Sequence, residues 1–294
     1  MSMSQIASGS LRSKADAIVE AQPPPRALVA PTFLGAAPRG RARTLATRAS
    51  VPLILLIGWW YGSSTGWIPP DIFASPGAVA GAFIELEQSG QLREFLLASL
   101  GRAACGVCFG VSTGLLFGVL SGLSDLGEEL IDPTMQMLRA VPFLAMVPLF
   151  ISWFGIDDTF KVMVIAHATA LPMYAYTYLG VRNVDRKVIE AARGFGVHGL
   201  ALVRQVILPL ALPSLLMALR ICMALTIVGL IASEAVGTTR GIGYLVLLAK
   251  QYYRQDYMVL CLVLYAALGL VFDLFIRLLE RSLMPWRRYN TVRG

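Results

Sequence analysis

The sequence predicts an all-α membrane protein with six transmembrane helices and both termini in the cytoplasm. Of its 294 residues, 56% are hydrophobic and only 15% are charged, and the mean hydropathy is +0.65. Soluble domains carry roughly 25% charged residues, so an ordinary cytosolic enzyme is excluded. A membrane helix needs about 20 mostly apolar residues. The stretches that meet this length are 51–68, 95–123, 133–154, 160–181, 214–236 and 257–283.

The two ends of the chain differ from this apolar body. Of the net charge of +7, residues 1–49 supply seven basic and two acidic side chains. A basic tail ahead of an apolar body is typical of the anionic face of a membrane rather than of nucleic-acid binding. Three consecutive prolines, 23–25, favour disorder in this tail. The predicted organisation is a disordered cytoplasmic tail (1–49), a membrane domain (50–284) and a cytoplasmic tail (285–294).

The orientation follows from the positions of Lys and Arg, which are enriched in cytoplasmic loops. Segment 182–213 carries five basic residues, whereas none lies between Val51 and Leu92. The former is therefore predicted inside and the latter outside. Two loops fit this topology less well. Loop 124–132 is predicted inside yet is acidic, and loop 237–256 is predicted outside yet carries three basic residues.

The external stretch after the first span contains a helix-start signal. Ser75 can cap a helix, and Pro76 would stand at its first position, where proline is favoured. A short helix is therefore predicted on the outer surface. The aromatic residues of this region are predicted near the outer membrane interface, where amphipathic rings are favoured. They are Trp59, Trp60, Tyr61 and Trp67.

The second span carries a glycine every four residues. These are Gly106, Gly110, Gly114, Gly118 and Gly122. On a helix they form one stripe almost without side chains, which lets another backbone approach closely. Gly229, Ser233 and Gly237 repeat the spacing in the fifth span. The stripe predicts tight helix packing, with a surface that slides during a conformational cycle as the alternative.

Prolines interrupt the third and fourth spans. Pro142 and Pro148 lie in the third span and Pro172 in the fourth. Because proline removes a backbone donor and clashes with the preceding turn, both helices are predicted to kink. Broken helices at membrane depth occur where they are buried in protein or line a wet cavity. These prolines are therefore candidates for the wall of a translocation pathway, with bent packing as the alternative.

Ionisable residues inside apolar spans are functional candidates by default. Asp273 lies four residues before Arg277, so the two can pair on one helix face. Arg139 and Arg220 are close enough to helix ends for their long side chains to reach the interface. The candidates that remain for the pathway are Arg102 and Glu234.

Motifs for chemistry on this chain are missing from the sequence. There is no GxxxxGK[ST] phosphate loop and no Gly-Lys pair, so the chain is not itself an ATPase. Gly194, Gly196 and Gly199 spell GxGxxG, but no strand precedes them, so a dinucleotide site is rejected. Cys105 and Cys108 form a CxxC without a second ligand pair. We therefore expect no catalytic residue, no bound cofactor and no metal site.

Segment 182–213 is unusually long for a connection between two spans. Asp185 can cap a short helix, which Gly196 would then break, and a second short helix is predicted to end at Leu208 before Pro209 and Pro213. An apolar stripe runs along the first helix and predicts a partner outside the membrane. It consists of Val188, Ala191, Ala192 and Phe195.

Within this segment, EAARGFGVHGLALVRQVILP resembles the EAA loop of binding-protein-dependent ABC importer permeases. The residues at the motif positions are Glu190, Ala191, Ala192, Gly196, Leu208 and Pro209. Val206 stands where that family commonly has Ile. The resemblance implies that this loop docks in a cleft of a separate ATPase subunit. It also implies a type I ABC importer permease fold for residues 50–284.

The resemblance extends over most of residues 50–286. Within the family, the chain is most similar to the permeases for sulfonate, taurine and nitrate. The stretches that most resemble aliphatic-sulfonate permeases are LSGLSDLGEELIDPTMQMLRAVPFLAMVPLFISWFGIDD, RGIGYLV and LLERSLMPW. The resemblance implies a homodimeric permease in a bacterial cytoplasmic membrane, two ATPase subunits that hold ATP and Mg, and an extracytoplasmic binding protein. Nitrate, bicarbonate or another small solute remains an alternative substrate. An ion-driven carrier and a non-transporting scaffold are the alternatives of a different class.

Overall fold

The computed structural model describes residues 41–284, with side chains from residue 50 onward. Every regular element in this range is helical, and no strand occurs there. The α-helices are α1 (Arg41–Ser64), α2 (Pro76–Gln88), α3 (Gln91–Leu123), α4 (Asp125–Ala140), α5 (Val147–Phe154), α6 (Asp158–Arg182), α7 (Arg186–Gly194), α8 (Gly199–Leu202), α9 (Leu208–Glu234), α10 (Ile242–Gln251) and α11 (Gln255–Leu283). A 3-10 turn (Phe143–Met146) precedes α5, and a π segment (Val203–Ile207) joins α8 to α9.

The first helix begins earlier than predicted. α1 starts at Arg41, so the last residues of the segment predicted as a disordered tail are helical. This stretch, RARTLATRAS, contains helix-forming Arg, Ala and Leu and neither Pro nor Gly, which explains the longer helix. The prediction for the rest of the N-terminal tail and for the tail 285–294 falls outside the described residues.

Among the described residues, three helical runs are long and apolar enough to cross a membrane. They are Gln91–Leu123, Gly199–Glu234 and Gln255–Leu283. They contain the predicted spans 95–123, 214–236 and 257–283. α6, which contains the predicted span 160–181, is more polar but deeply buried between α3 and α9. A helix that contacts mainly other helices need not be as apolar as one that faces lipid.

The predicted span 133–154 is two helices rather than one. α4 and the run Phe143–Phe154 are bent by 88°, and the break lies at Val141 and Pro142. The predicted kink is therefore confirmed at Pro142. Pro148 has a different role, because it lies in the first turn of α5, where a missing N–H costs nothing. α4 exposes apolar side chains and has no buried residue.

The second helix of segment 182–213 does not end at Leu208 as predicted. α8, the π segment and α9 form one helical run, Gly199–Glu234, which passes through Pro209 and Pro213. A proline ring clashes with the carbonyl four residues earlier, and for Pro209 that residue lies in the π segment. The wider π turn accommodates the ring. The second helix of segment 182–213 and the fifth span are therefore parts of one helix.

The glycine stripe of α3 packs directly against α6. A Cβ at Gly110 or Gly114 would lie 2.3 Å from a backbone carbonyl oxygen of α6, a distance that no side chain can occupy. The other three glycines of the stripe are similarly close to α6 side chains. The prediction of tight helix packing is confirmed, and a sliding surface stays a prediction.

Two shorter helices complete this part of the molecule. The predicted short helix is confirmed as α2, which Ser75 caps by accepting a hydrogen bond from the N–H of Ala78 at 3.2 Å, and its place on the outer surface stays a prediction. α2 packs with α10, α11 and the start of α3 around an apolar core. Trp59 joins this core and donates to the carbonyl of Ala74 at 3.1 Å.

Candidate functional site

Segment 182–213 forms a helix, a corner and a second helix. Asp185 caps α7 by accepting a hydrogen bond from the N–H of Lys187 at 2.9 Å, as predicted. The corner after α7 contains Gly196 at φ +84° and Gly199 at φ +58°. Both glycines have open space where a Cβ would stand. They are therefore required for backbone conformation, not for close packing.

The apolar stripe of α7 divides into two faces. Ile189 and Ala192 pack inward against a cluster formed by the end of α6 and the start of the Gly199–Glu234 helix. No residue between 50 and 284 covers the outward face. Its side chains are Val188 (41% exposed), Phe195 (89%) and, beyond the corner, Leu200 (81%). Apolar side chains at such exposure on a folded surface mark an interaction site. We call this face, together with Glu190 and Ala191, the coupling face.

The polar and apolar ends of the EAA motif lie at different clefts. Glu190 lines a cleft of about 400 Å³ together with Arg186 and Arg193. Leu208 and Pro209 line a second, mainly apolar cleft of about 460 Å³ near Leu115 of α3 and Leu283 of α11. The motif residues therefore follow the continuous surface between α3, α7 and α9.

The acidic loop 124–132 has partners on α6. Arg182 donates to Asp125 at 3.0 Å and pairs with Glu128 at 2.7 Å. Tyr178 donates to Glu128, and Tyr174 donates to Asp132 at 2.8 Å. Three of the four acidic side chains of this loop are therefore engaged by α6, and Arg182 supplies the positive charge.

A buried polar cluster lies at the other end of α6. We call it the Glu234 cluster. Glu234 is fully buried and accepts hydrogen bonds from Ser99 (2.7 Å) and from Arg102 Nη1 (2.7 Å). Arg102 also pairs with Asp158 at 2.8 Å, and Asp158 accepts from Lys161 at 3.2 Å. The sequence analysis singled out Arg102 and Glu234 separately, and the structure joins them across 132 positions of the chain.

Glu234 also caps a helix. Its Oε2 accepts the N–H of Gly243 at 2.8 Å, and Ser99 accepts the N–H of Ile242 at 2.9 Å, so both first donors of α10 are satisfied. A carboxylate is favoured at the positive end of a helix. A Cβ at Gly243 would lie 2.4 Å from Glu234, and one at Gly241, at φ +130°, would lie 2.7 Å from it. Gly241 and Gly243, the two glycines of RGIGYLV, therefore leave the space that the Glu234 side chain occupies.

Sequence reasoning missed Ser99, Asp158 and Lys161 as members of this cluster. Asp158 and Lys161 stand at the start of α6, where a charged pair usually marks an exposed helix end. Ser99 carries no sequence signal, because its role depends on contacts with residues more than 130 positions away. In this conformation Arg102 and Glu234 each form hydrogen bonds or ion pairs within the Glu234 cluster. Their assignment to the translocation pathway stays a prediction.

Of the three basic residues of loop 237–256, Arg254 has acidic partners. Arg254 pairs with Glu85 of α2 at 2.7 Å and with Asp256 at 2.7 Å. These hydrogen bonds from the guanidinium lower the pKa of Glu85 and raise the pKa of Arg254. Arg240 contributes its carbonyl, which accepts from Arg102 at 2.8 Å. Two of the three basic residues of this loop are thus tied to the protein by specific contacts.

The remaining ionisable residues of the spans divide into paired and unpaired groups. Asp273 and Arg277 form the predicted pair at 2.5 Å. Arg220 pairs with Glu280 at 3.0 Å instead of extending freely to the interface. Arg139 is the exception, because its side chain forms no ion pair or hydrogen bond with any residue in the range 41–284.

The three candidate prolines of the pathway lie in two places. Pro142 and Pro172 line one cleft of about 280 Å³ between the bend that follows α4 and the middle of α6. Pro148 lies in α5 and does not line this cleft. Their role in a pathway stays a prediction.

Known transport proteins resemble this chain over most of its length. Residues 110–285 match the family described as the binding-protein-dependent transport system inner membrane component. The chain is 42% identical over 236 residues to the aliphatic sulfonates transport permease SsuC of Escherichia coli strain K12, which covers 80% of this chain and 90% of that protein. The chain therefore belongs to the permeases of binding-protein-dependent ABC importers.

Two further relatives of the chain are also transport permeases. The aliphatic sulfonates transport permease SsuC of Bacillus subtilis strain 168 is 36% identical over 244 residues, or 83% of this chain and 88% of that protein. The taurine transport system permease TauC of Escherichia coli strain K12 is 31% identical over 238 residues, or 79% of this chain and 86% of that protein. The chain is thus a member of the sulfonate and taurine group of these permeases.

A solved structure supports the fold. The inward-facing MetNI methionine ABC transporter superposes with a TM-score of 0.57, covering 66% of this chain and 95% of the matched chain, at 19% identity. At that identity the likeness concerns the fold alone. The helical arrangement described above is that of an ABC transporter permease.

Proposed function

We propose that this chain is the permease through which an ATP-driven importer carries a small sulfonate, either an aliphatic sulfonate or taurine, into a bacterial cell. The names of the relatives support this substrate class. Nitrate, bicarbonate and other small solutes are the competing substrates.

The proposed topology has six spans in the cytoplasmic membrane with both termini inside. The spans are α1, α3, the bent run of α4 and α5, α6, the Gly199–Glu234 helix and α11. Two loops carry charges of the sign not expected for this topology. The acidic loop 124–132 weighs little against it, because Asp and Glu contribute little to a rule that counts Lys and Arg. In the basic loop 237–256, Arg254 pairs with Glu85, whereas Arg240 and Lys250 still count against the assignment.

The observation that carries the proposal is the coupling face. Val188, Phe195 and Leu200 expose apolar area that no other described part of the chain covers. A separate ATPase subunit supplies that cover. Two copies of the permease, two ATPase subunits that bind ATP and Mg, and an extracytoplasmic binding protein complete the proposed assembly.

The Gly199–Glu234 helix provides the mechanical link. With 36 residues at about 1.5 Å each, it is about 54 Å long. One end carries Leu200 of the coupling face, and the other carries Glu234 of the buried cluster. Closure of the ATPase subunits on ATP would move the coupling face and thereby tilt this helix as a unit. Such rigid-body movement between packed helices is a common route to alternating access.

The test is uptake of sulfur-labelled methanesulfonate and taurine by cells that contain the permease and its own partner subunits. Glu190→Lys places a third positive charge beside Arg186 and Arg193 and should lower uptake roughly tenfold or more, since like charges at an interface cost at least about 1.4 kcal/mol. The amount of permease in the membrane should not change. Normal uptake by this variant would contradict the coupling assignment.

The same cells distinguish the substrates. Unlabelled taurine or methanesulfonate should suppress uptake of the labelled compound, whereas nitrate and bicarbonate should not. Suppression by nitrate alone would move the assignment to that anion. Uptake that persists without any ATPase subunit would instead indicate an ion-driven carrier.

A further inference from the structure

A second polar site lies away from both the coupling face and the Glu234 cluster. It is the cleft of about 280 Å³ between the bend after α4 and the middle of α6, which we call the mid-helix cleft. Its polar side chains are Arg139, His167 and Tyr176, and its apolar walls include Pro142, Phe143 and Pro172.

The position of the cleft along α6 is unusual for polar groups. α6 runs from Asp158 to Arg182, so His167 to Tyr176 occupy its central part. At about 1.5 Å per residue, these residues lie some 13–27 Å from the start of the helix. This is the depth of the hydrocarbon core for a helix that spans a membrane, where ionisable groups are costly and mark substrate or ion pathways.

Two of the polar groups at the cleft have no partner. The Arg139 side chain forms no ion pair or hydrogen bond with residues 41–284, whereas Arg102 and Arg220 are both paired. The Nε2 atom of His167 is buried and lacks a hydrogen-bond partner. Burying such a nitrogen without a partner costs free energy, so a native structure usually supplies one.

The chemistry of these groups selects an anion with several oxygens. A guanidinium offers a planar fork of N–H donors that matches an oxyanion. A neutral imidazole donates one hydrogen bond from its protonated nitrogen, which His167 can direct into the cleft once its ring turns away from Phe150, and the phenol of Tyr176 can donate another. Phe143 and Leu171 provide an apolar wall for a short carbon chain.

We propose that the mid-helix cleft binds the sulfonate group of the transported substrate during its passage, with Arg139 and His167 as the principal donors. This proposal rests on the proposed function, because it assigns a binding site within the same pathway. Three sulfonate oxygens accept from the guanidinium, from His167 and from Tyr176. The bend at Pro142 opens the space that these donors surround.

The experiment uses the assembled importer, permease with its ATPase and binding protein, reconstituted in lipid vesicles. Two quantities are measured together, uptake of labelled methanesulfonate and ATP hydrolysis stimulated by the binding protein. Arg139→Gln should lower the sulfonate imported per ATP hydrolysed by roughly tenfold or more, the loss expected for a charge-assisted hydrogen bond. ATP hydrolysis itself should persist, since the coupling face is unchanged.

Two further variants sharpen the test. Arg139→Lys keeps the positive charge but lacks the planar pair of N–H donors of a guanidinium, so it should retain more uptake than Arg139→Gln and less than the wild type. His167→Gln keeps a donor of similar size and should give an intermediate loss; it carries the test alone if Arg139→Gln does not assemble. Arg281→Gln, which removes an exposed arginine far from the cleft, should match the wild type.

The outcomes separate the two proposals. Wild-type vesicles that import no sulfonate would overturn the proposed function and the cleft with it. Wild-type import with unchanged stoichiometry in Arg139→Gln and His167→Gln would overturn only the cleft. Uptake and ATP hydrolysis that fall in equal proportion would indicate a structural role and also overturn it. A phospholipid that co-purifies with the wild type and is lost in Arg139→Gln, with import per ATP unchanged, would assign the cleft to a lipid headgroup instead.

Discussion

The Glu234 cluster and the coupling face lie at opposite ends of the same long helix, yet they treat polar and apolar groups in opposite ways. In the cluster, a fully buried carboxylate is matched by a guanidinium, a hydroxyl and a helix N-terminus. On the coupling face, Phe195 is 89% exposed and Glu190 has no ion pair within residues 41–284. The polar groups of the cluster are matched within one chain, whereas we propose that a partner completes the coupling face.

This difference predicts two kinds of variant. Changes in the Glu234 cluster should reduce folding and stability, and transport should fail as a consequence. Changes on the coupling face should leave a folded protein that no longer works. The mid-helix cleft belongs to the second kind, because Arg139 and His167 Nε2 also lack partners among residues 41–284.

The largest expected effect is on the stability of the cluster. Glu234→Ala leaves Arg102 buried without its fully buried partner and removes the cap of α10, so it should lower the free energy of unfolding by about 3–5 kcal/mol. Thermal unfolding of the detergent-purified permease, followed by the loss of the monodisperse species, measures this change.

A variant of Asp158, in the same cluster, tests whether burial is the reason for the large effect at Glu234. Asp158 also pairs with Arg102, but its side chain is 54% exposed. Asp158→Ala leaves Arg102 paired with Glu234 but takes from the buried Lys161 its one ion-pair partner within residues 41–284, so it should cost about 1–3 kcal/mol, less than Glu234→Ala, because water can replace the half-exposed carboxylate. Equal destabilisation by the two variants would show that burial is not what gives Glu234 its importance. A double variant, Glu234→Ala with Arg102→Ala, should cost less than the sum of its two single variants, because Glu234 and Arg102 interact directly.

A smaller effect on stability, with a large effect on transport, is expected at the corner of the coupling segment. Gly196 adopts φ +84°, which costs other residues about 1–2 kcal/mol. Gly196→Ala should therefore displace the corner and lower uptake, while the thermal stability of the membrane domain changes little. Uptake by cells and thermal unfolding of the same preparations measure the two effects.

The chain offers two controls for this prediction. Gly194 also has open space where a Cβ would stand but has no positive φ, so Gly194→Ala should transport normally. Gly196→Asn should retain more uptake than Gly196→Ala, because asparagine tolerates this backbone conformation. If Gly194→Ala is as defective as Gly196→Ala, the backbone conformation of the corner is not the cause.

Local signals in the sequence predicted the local structure well. Ser75 and Pro76 marked the start of α2, Asp185 marked the start of α7, and Gly196 marked its end. Each signal depends on a hydrogen bond or a backbone angle within a few residues. The glycine stripe of α3 predicted close packing for a similar reason, since the spacing alone defines a helix face.

The sequence could not reveal features that depend on distant contacts. Arg102 and Glu234 are separated by 132 positions, so their pairing is visible only in the fold. The bend at Pro142 brings Arg139 to the mid-helix cleft beside α6, which its position in the sequence does not indicate, and its reach to the membrane interface stays a prediction. Pro209 was predicted to end a helix, because proline usually does and a π segment has no reliable sequence signature.

The central claim, that the coupling face is completed by an ATPase subunit, is tested most directly by gentle detergent extraction of the tagged permease from its native membrane. An ATP-binding-cassette subunit should co-purify with the wild type and be lost with Phe195→Asp. It should be retained with Tyr253→Asp, which changes an equally exposed aromatic residue, 87% exposed, between α10 and α11. Recovery of equal amounts with Phe195→Asp, or of no nucleotide-binding subunit with the wild type, would contradict the account.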